Sequence, residues 1–272
     1  MKLVTYSTDG GDARVGAIEG EEIRPLGHES MLDFIERGGN AEPGEDVVPL
    51  SEAHIHAPIE SPGKVIAIGL NYEDHAAETG ADIPEKPIVF AKYPNTIIGP
   101  GDPIRIPPIT EKVDYEAELA VVIGKAARNV SEDEAMDHVF GYTNANDVSS
   151  RDLQFSEGGQ WTRSKSLDTF CPIGPYIATR DEVPDPQNLS VKAVLNGETV
   201  QDGTTSKMIF PVSELVSFLS KGMTLEPGDI IITGTPPGVG MARDPQLFMK
   251  DGDEVSIEIE GLGTLTNPVA TD

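Results

Sequence analysis

The sequence has a single cysteine, no long apolar run and few basic residues, and each shortage excludes a class of protein. Because Cys171 is the only cysteine, the chain cannot form an internal disulfide, which excludes a disulfide-stapled extracellular fold. No window approaches the roughly 20 apolar residues that a membrane-spanning helix needs. The N-terminal residues also lack the apolar stretch of a signal peptide. We therefore expect a cytoplasmic protein.

Basic residues are strongly outnumbered, since 20 Lys and Arg stand against 46 Asp and Glu, for a formal net charge of −26. Such a field repels phosphate backbones and anionic lipid surfaces, so we expect neither a nucleic-acid nor a membrane partner. The acidic excess has two interpretations: a cation-binding protein, or a solvated, halophile-like surface whose self-repulsion is screened by high salt. The charges are dispersed and no EF-hand loop is present, which favours the acidic surface.

Glycine and proline are plentiful, at 28 and 22 of 272 residues, and 38% of residues are hydrophobic. This composition is typical of a globular protein with many turns and short strands. Periodicity predicts strands at residues 3–6, 14–18, 64–69, 88–91, 118–123, 191–195, 230–233 and 254–259, and helices at 31–37, 72–78, 131–138 and 212–220. Helices and strands do not alternate regularly, which disfavours a doubly wound sheet or a TIM barrel. We expect an α+β, β-rich fold with a mixed or antiparallel sheet.

Two segments rich in turn-forming residues, 38–46 and 57–63, interrupt the N-terminal part of the chain. They favour a small N-terminal β-rich domain over residues 1–57. Residues 58–272 would then form one larger, strand-rich unit.

The most specific local pattern is DYEAEL, residues 114–119. On a strand, Glu116 and Glu118 share one face, because side chains at i and i+2 point the same way. Neighbouring carboxylates that face a sheet interior repel each other unless a cation neutralises them, and a divalent cation does this well. The alternative is a solvated strand edge, where acidic side chains are common. Asp114 lies on the same side and is a candidate decoy.

A third carboxylate, Asp147, lies in the polar segment NANDVSSRDLQ, residues 144–154, which follows an apolar stretch. Three oxygen ligands with open positions suit Mg²⁺ or Mn²⁺ better than zinc, which prefers His and Cys. The alternative for Asp147 is a cap or turn residue.

Two further patterns suggest groups that move protons or hold anions. His75 and Glu78 form an i, i+3 pair on the expected helix 72–78, and a carboxylate beside an imidazole raises its basicity. The alternative is an exposed helical ion pair. Lys165 follows the only tryptophan by four residues, and a lysine near a metal can bind a carboxylate or stabilise an enolate. The alternative there is a surface lysine.

The segment LEPGDIIITGTPPGVG, residues 225–240, is similar to a strand followed by a dinucleotide-binding turn. Pro236 and Pro237 interrupt that turn and no third glycine opens a helix, so the dinucleotide interpretation is rejected. A glycine-lined loop that offers backbone N–H groups to a carboxylate remains.

In this order along the chain, the motifs resemble the fumarylacetoacetate hydrolase family. The matching segments are GLNYEDHAAETG, VFAKYPNTIIGP, DYEAELAVVIGK, NANDVSSRDLQF, GQWTRSKSLDTFCPIGP, NGETVQDGTTSKMIFP and MTLEPGDIIITGTPPGVG. They cover essentially residues 60–240. The resemblance implies a catalytic domain built as a mixed β-sheet roll or sandwich, a homodimer, and binding of Mg²⁺ or Mn²⁺.

The resemblance also implies a role for each matching residue. The implied metal ligands are Glu116, Glu118 and Asp147; the implied catalytic residues are His75, Glu78 and Lys165; the implied substrate-binding residues are Arg151, Gln154 and Thr235. The substrate would be a small 2-oxo acid or β-diketo acid. It would react through a metal-stabilised enolate.

Three hypotheses follow for the function. The first is a hydrolase or lyase, by acylpyruvate-type C–C hydrolysis or oxaloacetate-type decarboxylation. The second is an isomerase, decarboxylase or dehydratase of an aromatic-degradation or sugar-acid intermediate on the same scaffold. The third is a non-catalytic, acidic cation-binding protein.

Overall fold

A computed structural model describes residues 1–28, 30–44, 46–156 and 158–272. The strands are β1 (Lys2–Ser7), β2 (Arg14–Glu19), β3 (Glu22–Pro25), β4 (Val48–Pro49), β5 (His54–Ile55), β6 (Val65–Gly69), β7 (Ile88–Lys92), β8 (Ile97–Ile98), β9 (Ile104–Ile106), β10 (Val113–Asp114), β11 (Ala117–Ile123), β12 (Val139–Asn146), β13 (Ser149–Ser150), β14 (Cys171–Thr179), β15 (Ser190–Leu195), β16 (Glu198–Thr204), β17 (Ile230–Ile232), β18 (Glu254–Ile259) and β19 (Thr264–Thr271). The α-helices are α1 (Met31–Glu36), α2 (Glu73–Thr79), α3 (Glu132–Ala135), α4 (Arg151–Ser156), α5 (Trp161–Lys165) and α6 (Val212–Ser220).

A large mixed sheet forms the centre of the molecule. Its strands run in the order β4-β3-β2-β1-β14-β12-β11-β17-β6-β7, with β5 on β1 and β8 on β14. Most neighbours are antiparallel, whereas β17 and β6 are parallel. The expected β-rich fold with mixed sheets is therefore confirmed.

The N-terminal strands belong to this same sheet. Strand β1 pairs with β14 through Lys2 with Ala178 and Leu3 with Ile177. The proposed domain boundary at residue 57 thus separates segments that share one hydrogen-bonded sheet, and it stays a prediction.

A second sheet, β16-β15-β18-β19-β9, packs over the centre of the first. Strand β11 is buried along its whole length because it has an apolar core on each face. Leu119 and Val121 point into the core shared with the second sheet, where Val191 and Ile257 also lie. Ala120 and Val122, which alternate with them along β11, point into the opposite core. Burial on both faces fixes the register of β11 and hence the position of the acidic residues at its start.

Among the described residues, no helix is both long enough and apolar enough to cross a membrane.

Candidate active site

Three carboxylates from two neighbouring strands converge at one end of the large sheet. Glu116 directly precedes β11, Glu118 is its second residue, and Asp147 directly follows β12. These strands are antiparallel with Ala117 opposite Asn146, so the start of one lies beside the end of the other. The Asp147 N–H donates to the Glu116 carbonyl oxygen at 2.9 Å. One oxygen from each side chain lies within 4.8 Å of the others, and all three residues are buried, so the solvated-edge alternative is wrong.

Three cationic side chains, Lys92, Arg151 and Lys165, bind this cluster directly. The Lys165 Nζ donates to Glu116 Oε2 at 2.7 Å and to Asp147 Oδ2 at 2.6 Å. Burial disfavours the Lys165 charge, but the Asp147 and Glu116 carboxylates outweigh it and raise the pKa of Lys165. Burial likewise opposes ionisation of Glu116, yet Lys165 and Arg151 lower its pKa to about 2. Lys165 is therefore a buried cation of the site and not a surface lysine.

Glu118 differs from the other two carboxylates because, within the part of the chain that the structure describes, it has no cationic hydrogen-bond partner. Its Oε2 accepts the Gly234 N–H at 2.6 Å. Burial, followed by the neighbouring charges of Asp147 and Glu116, raises its pKa well above the usual value. Three hard oxygen ligands with one uncompensated charge fit a divalent cation such as Mg²⁺ or Mn²⁺.

Arg151 and Gln154 lie on one face of the short helix α4. The Arg151 Nη2 donates to Glu116 Oε1 at 2.6 Å, and its Nη1 donates to Gln154 Oε1 at 2.9 Å. The Arg151 Nε donates to Asp114 Oδ2 at 2.8 Å. Asp114 is thus outside the carboxylate cluster, and its side chain anchors Arg151 instead.

His75 and Glu78 lie on helix α2, which ends at Gly80 in the left-handed conformation with φ 67°. The His75 Nδ1 is 3.2 Å from Glu78 Oε2, and Glu78 Oε1 accepts the Gly238 N–H at 2.8 Å. His75 is only 7% exposed. The imidazole is thus buried while Glu78 keeps solvent contact, and the pair is held between α2 and the loop after β17.

Thr235 follows β17 and is held by its neighbours through both functions of its hydroxyl. The hydroxyl donates to the Ala117 carbonyl at 3.0 Å and accepts from Gln201 Nε2 at 2.8 Å. Gln201 also accepts the Ala117 N–H, so it ties the loop to the start of β11.

The cluster opens onto a cavity of about 230 Å³ that is lined by both charged or polar and apolar side chains. The charged or polar lining residues are His75, Glu116, Glu118, Arg151, Gln154, Lys165 and Thr235, and the apolar ones include Ile68, Leu70, Phe90, Phe155, Trp161 and Met241. Asp147 and Glu78 are not lining residues but are bonded to two of them, Lys165 and His75. The structure thus brings all nine residues singled out from the sequence to one place.

Sequence reasoning missed Gln201 and Lys92, and it gave no role to Asp114. The Lys92 Nζ donates to Asp147 Oδ1 at 2.5 Å, with both side chains wholly buried. A lysine two residues after Phe90 on an apolar strand was the available signal, because it shares the inward face of that phenylalanine.

Comparisons with known proteins bear on the same residues. Residues 64–270 match the sequence profile of the family described as Fumarylacetoacetate (FAA) hydrolase C-terminal. The chain belongs to this family. The match includes all nine site residues that were singled out from the sequence. The family resemblance inferred from the sequence is confirmed.

Curated relatives of this family member span several eukaryotes. The chain is 46% identical to a mitochondrial oxaloacetate tautomerase of Xenopus laevis over 248 residues, which is 88% of this chain and 78% of that protein. It is 48% identical to a human mitochondrial oxaloacetate tautomerase over 224 residues, or 82% of this chain and 71% of that protein.

Solved structures of family members share the whole fold. The fumarylacetoacetate hydrolase of Exiguobacterium antarcticum matches with a TM-score of 0.91 at 38% identity, covering 100% of both chains. The 5-carboxymethyl-2-hydroxymuconate delta-isomerase of Mycobacterium smegmatis matches with a TM-score of 0.86 at 39% identity, also over 100% of both chains. These relatives of the chain are enzymes that act on small organic acids, which supports enzymatic activity for this chain.

Proposed function

We propose that this protein is a divalent-metal-dependent enzyme that enolises a 2-oxo acid, with tautomerisation of an oxaloacetate-type acid as its reaction. The observation that carries the proposal is the convergence of Glu116, Glu118 and Asp147 at a cavity that Lys165 and Arg151 also line or contact. The names of the relatives support the same substrate class.

The charge balance of the site supports an anionic substrate. Four buried carboxylates contact or adjoin three buried cations: Asp114, Glu116, Glu118 and Asp147 against Lys92, Arg151 and Lys165. With Glu118 ionised, this leaves one excess negative charge, which would repel an organic anion. A divalent cation reverses the sign to one excess positive charge, and that charge is complementary to the carboxylate of a 2-oxo acid.

Glu116, Glu118 and Asp147 would hold the metal. When bound, a divalent cation supplies a Lewis acid that favours enolisation of a 2-oxo group. Lys165 and Arg151 provide N–H donors in the same cavity, where they would bind the substrate carboxylate and the developing negative charge. The hydroxyl of Thr235, fixed by Gln201, adds a polar contact beside them.

His75 is the residue proposed to move the proton. Glu78 faces Nδ1 of the imidazole, which favours the tautomer with the proton on Nδ1 and leaves Nε2 as the basic nitrogen. That nitrogen would take a proton from the carbon next to the keto group and return it to oxygen or carbon.

C–C hydrolysis of an acylpyruvate is the second candidate, and the apolar residues that line the cavity favour it. Phe90 and Trp161 pack edge to face at 5.5 Å between ring centroids. An acyl or aryl substituent would bury apolar surface there, whereas the second carboxylate of oxaloacetate would not. In this reaction His75 would activate water.

Metal removal tests the proposed function. Protein treated with a chelator should no longer tautomerise oxaloacetate, and added Mg²⁺ or Mn²⁺ should restore this activity. The ultraviolet absorbance of the enol measures the reaction. Glu116→Gln and Asp147→Asn should each lower the rate by about 100-fold or more, because several kcal/mol of charge stabilisation depend on the ligands.

Glu198→Gln, which makes the same change at an exposed position of β16, is the matched control and should behave like wild type. Full activity in rigorously metal-free protein would contradict the proposal. A panel of acylpyruvates measured beside oxaloacetate separates the two candidate reactions.

A further inference from the structure

A run of buried ion pairs of alternating sign crosses the site, and its last member has no role so far. The run is Asp114–Arg151–Glu116–Lys165–Asp147–Lys92, with N···O distances of 2.8, 2.6, 2.7, 2.6 and 2.5 Å in that order. Arg151 and Lys165 line the cavity, but Lys92 is not among its lining residues. Lys92 can therefore act on the chemistry only through the groups that it holds, the Asp147 carboxylate and the Val148 carbonyl.

Lys92 reaches Asp147 from the strand that ends the large sheet. On β7, Phe90 and Lys92 point inward while Ala91 between them is exposed. The Lys92 Nζ donates to Asp147 Oδ1 at 2.5 Å and to the Val148 carbonyl at 3.2 Å. The ammonium thus grips both the side chain of Asp147 and the backbone that follows it.

Stability alone is a weak reason for this lysine. Taking an ammonium and a carboxylate out of water carries a large desolvation cost, and apolar residues of similar volume often serve a fold equally well. The side chains of Lys92 and Asp147 are both 0% exposed, so that cost applies in full.

Each carboxylate oxygen of Asp147 accepts a hydrogen bond from a different lysine, and the two lysines differ in their other contacts. Lys165 holds Oδ2, but it also binds Glu116 and lines the cavity, so a substrate anion competes for it. Lys92 holds Oδ1 from behind the cavity, where no substrate reaches. Unlike Lys165, Lys92 is outside the cavity lining and, among the described residues, binds no second carboxylate.

We propose that Lys92 is a positioning residue that fixes the orientation of the Asp147 carboxylate and thereby sets the affinity of the carboxylate cluster for its divalent cation. The inference rests on the proposed function, since it assigns Lys92 a part in the proposed metal site. Partners that orient metal ligands in this way commonly contribute about 10- to 100-fold to metal affinity.

The test compares Lys92→Met with Lys64→Met in metal-free, full-length protein. Lys64, whose side chain is partly exposed, makes a lysine–aspartate pair with the buried Asp229 at 2.6 Å, away from the cluster. Titration with Mn²⁺ by calorimetry gives the dissociation constant, and electron paramagnetic resonance of bound Mn²⁺ reports the symmetry of its ligands. Circular dichroism shows that each variant is folded.

We expect Lys92→Met to raise the Mn²⁺ dissociation constant by about 10- to 100-fold and to change the Mn²⁺ spectrum. Lys64→Met should leave both unchanged. If Lys92→Met does not fold, Lys92→Gln replaces it with the same expected loss, since its shorter chain withdraws the donor from Asp147.

If the Lys92 variant bound Mn²⁺ as tightly as wild type or more tightly, the inference would be overturned. A lysine that acted only through its positive charge would repel the metal, so its removal would tighten Mn²⁺ binding. Wild-type protein that binds no Mn²⁺ would instead overturn the proposed function, and this inference with it. The two failures are therefore distinguishable.

Discussion

His75 and Glu78 are the pair in the site whose work is separable from metal binding. Their contacts are with each other and with the Gly238 N–H, not with the carboxylate oxygens that would hold the metal. Removing the imidazole should therefore affect proton transfer while leaving the ligands in place.

We expect His75→Ala to lower the tautomerisation rate by about 100-fold or more, the usual contribution of a positioned general base or acid. The Mn²⁺ dissociation constant should stay at the wild-type value. His54→Ala, at an exposed histidine of β5, is the control and should leave the rate unchanged. Wild-type turnover by His75→Ala would refute the assignment of the proton to His75.

At the scale of elements, the loop after β17 fastens the site together through the backbone of its glycines. The N–H groups of three of its glycines donate to three carboxylates from different elements: Gly234 to Glu118, Gly238 to Glu78 and Gly240 to Asp114. Glycine is required at the first of these, because Gly234 has φ 96° and an added Cβ would lie 2.7 Å from the Asn71 Cβ. The expectation of a loop that offers N–H groups to a carboxylate agrees with this geometry, although the bonded carboxylates are the protein's own.

Gly234→Ala should destabilise the protein by about 1–3 kcal/mol, the usual cost of a strained backbone position. It should also weaken Mn²⁺ binding, because the bond to Glu118 is displaced. Urea unfolding and Mn²⁺ titration measure the two effects.

Gly261→Ala is the matched control, with φ 81° and no atom within 4 Å of the added Cβ. It bears the cost of positive φ but should leave Mn²⁺ affinity unchanged. Equal stability and equal Mn²⁺ affinity in the two variants would show that the contacts of Gly234 contribute neither to folding nor to metal binding.

The elements predicted from sequence are those with clear local periodicity. Strand 254–259 and helix 212–220 have the predicted bounds, because alternating and helical apolar patterns reflect one buried face. Two central strands of the large sheet, β12 and β14, were missed. β12 ends in polar residues that turn toward the site, and β14 contains two prolines, which are unusual inside a sheet.

The candidate site was predictable to the extent that its residues are neighbours in sequence. The shared face of Glu116 and Glu118 follows from strand geometry alone. That Asp147 joins them depends on the pairing of β11 with β12, which local pattern does not specify, and only the family resemblance supplied it. Lys92 and Gln201 were missed because their partners lie on other strands, far away in sequence.

At the scale of the whole molecule, the surplus of acid is the dominant feature. The net charge of −26 destabilises a compact state through self-repulsion, which dissolved salt screens. The halophile-like surface, the cytoplasmic location and the homodimer all stay predictions, and the first of them has a direct test.

The thermal unfolding midpoint at neutral pH should rise by roughly 5 °C or more as KCl increases from about 0.1 M to about 1 M, because the Debye length falls to a third. Calorimetry measures this shift. Near the sequence pI of about 4.4 the net charge is small, so the same salt series should have little effect there. A midpoint that stays constant or falls with KCl at neutral pH would contradict the prediction.

Cys171, at the start of β14, has a consequence for labelling experiments on this protein. Burial raises the pKa of its thiol to about 12, so it stays protonated and shielded in the folded chain. Any cysteine introduced at an exposed position would be the single group to react with a maleimide dye at neutral pH. Fluorescent or spin labels can therefore be attached one at a time to the wild-type background, without first deleting a native residue.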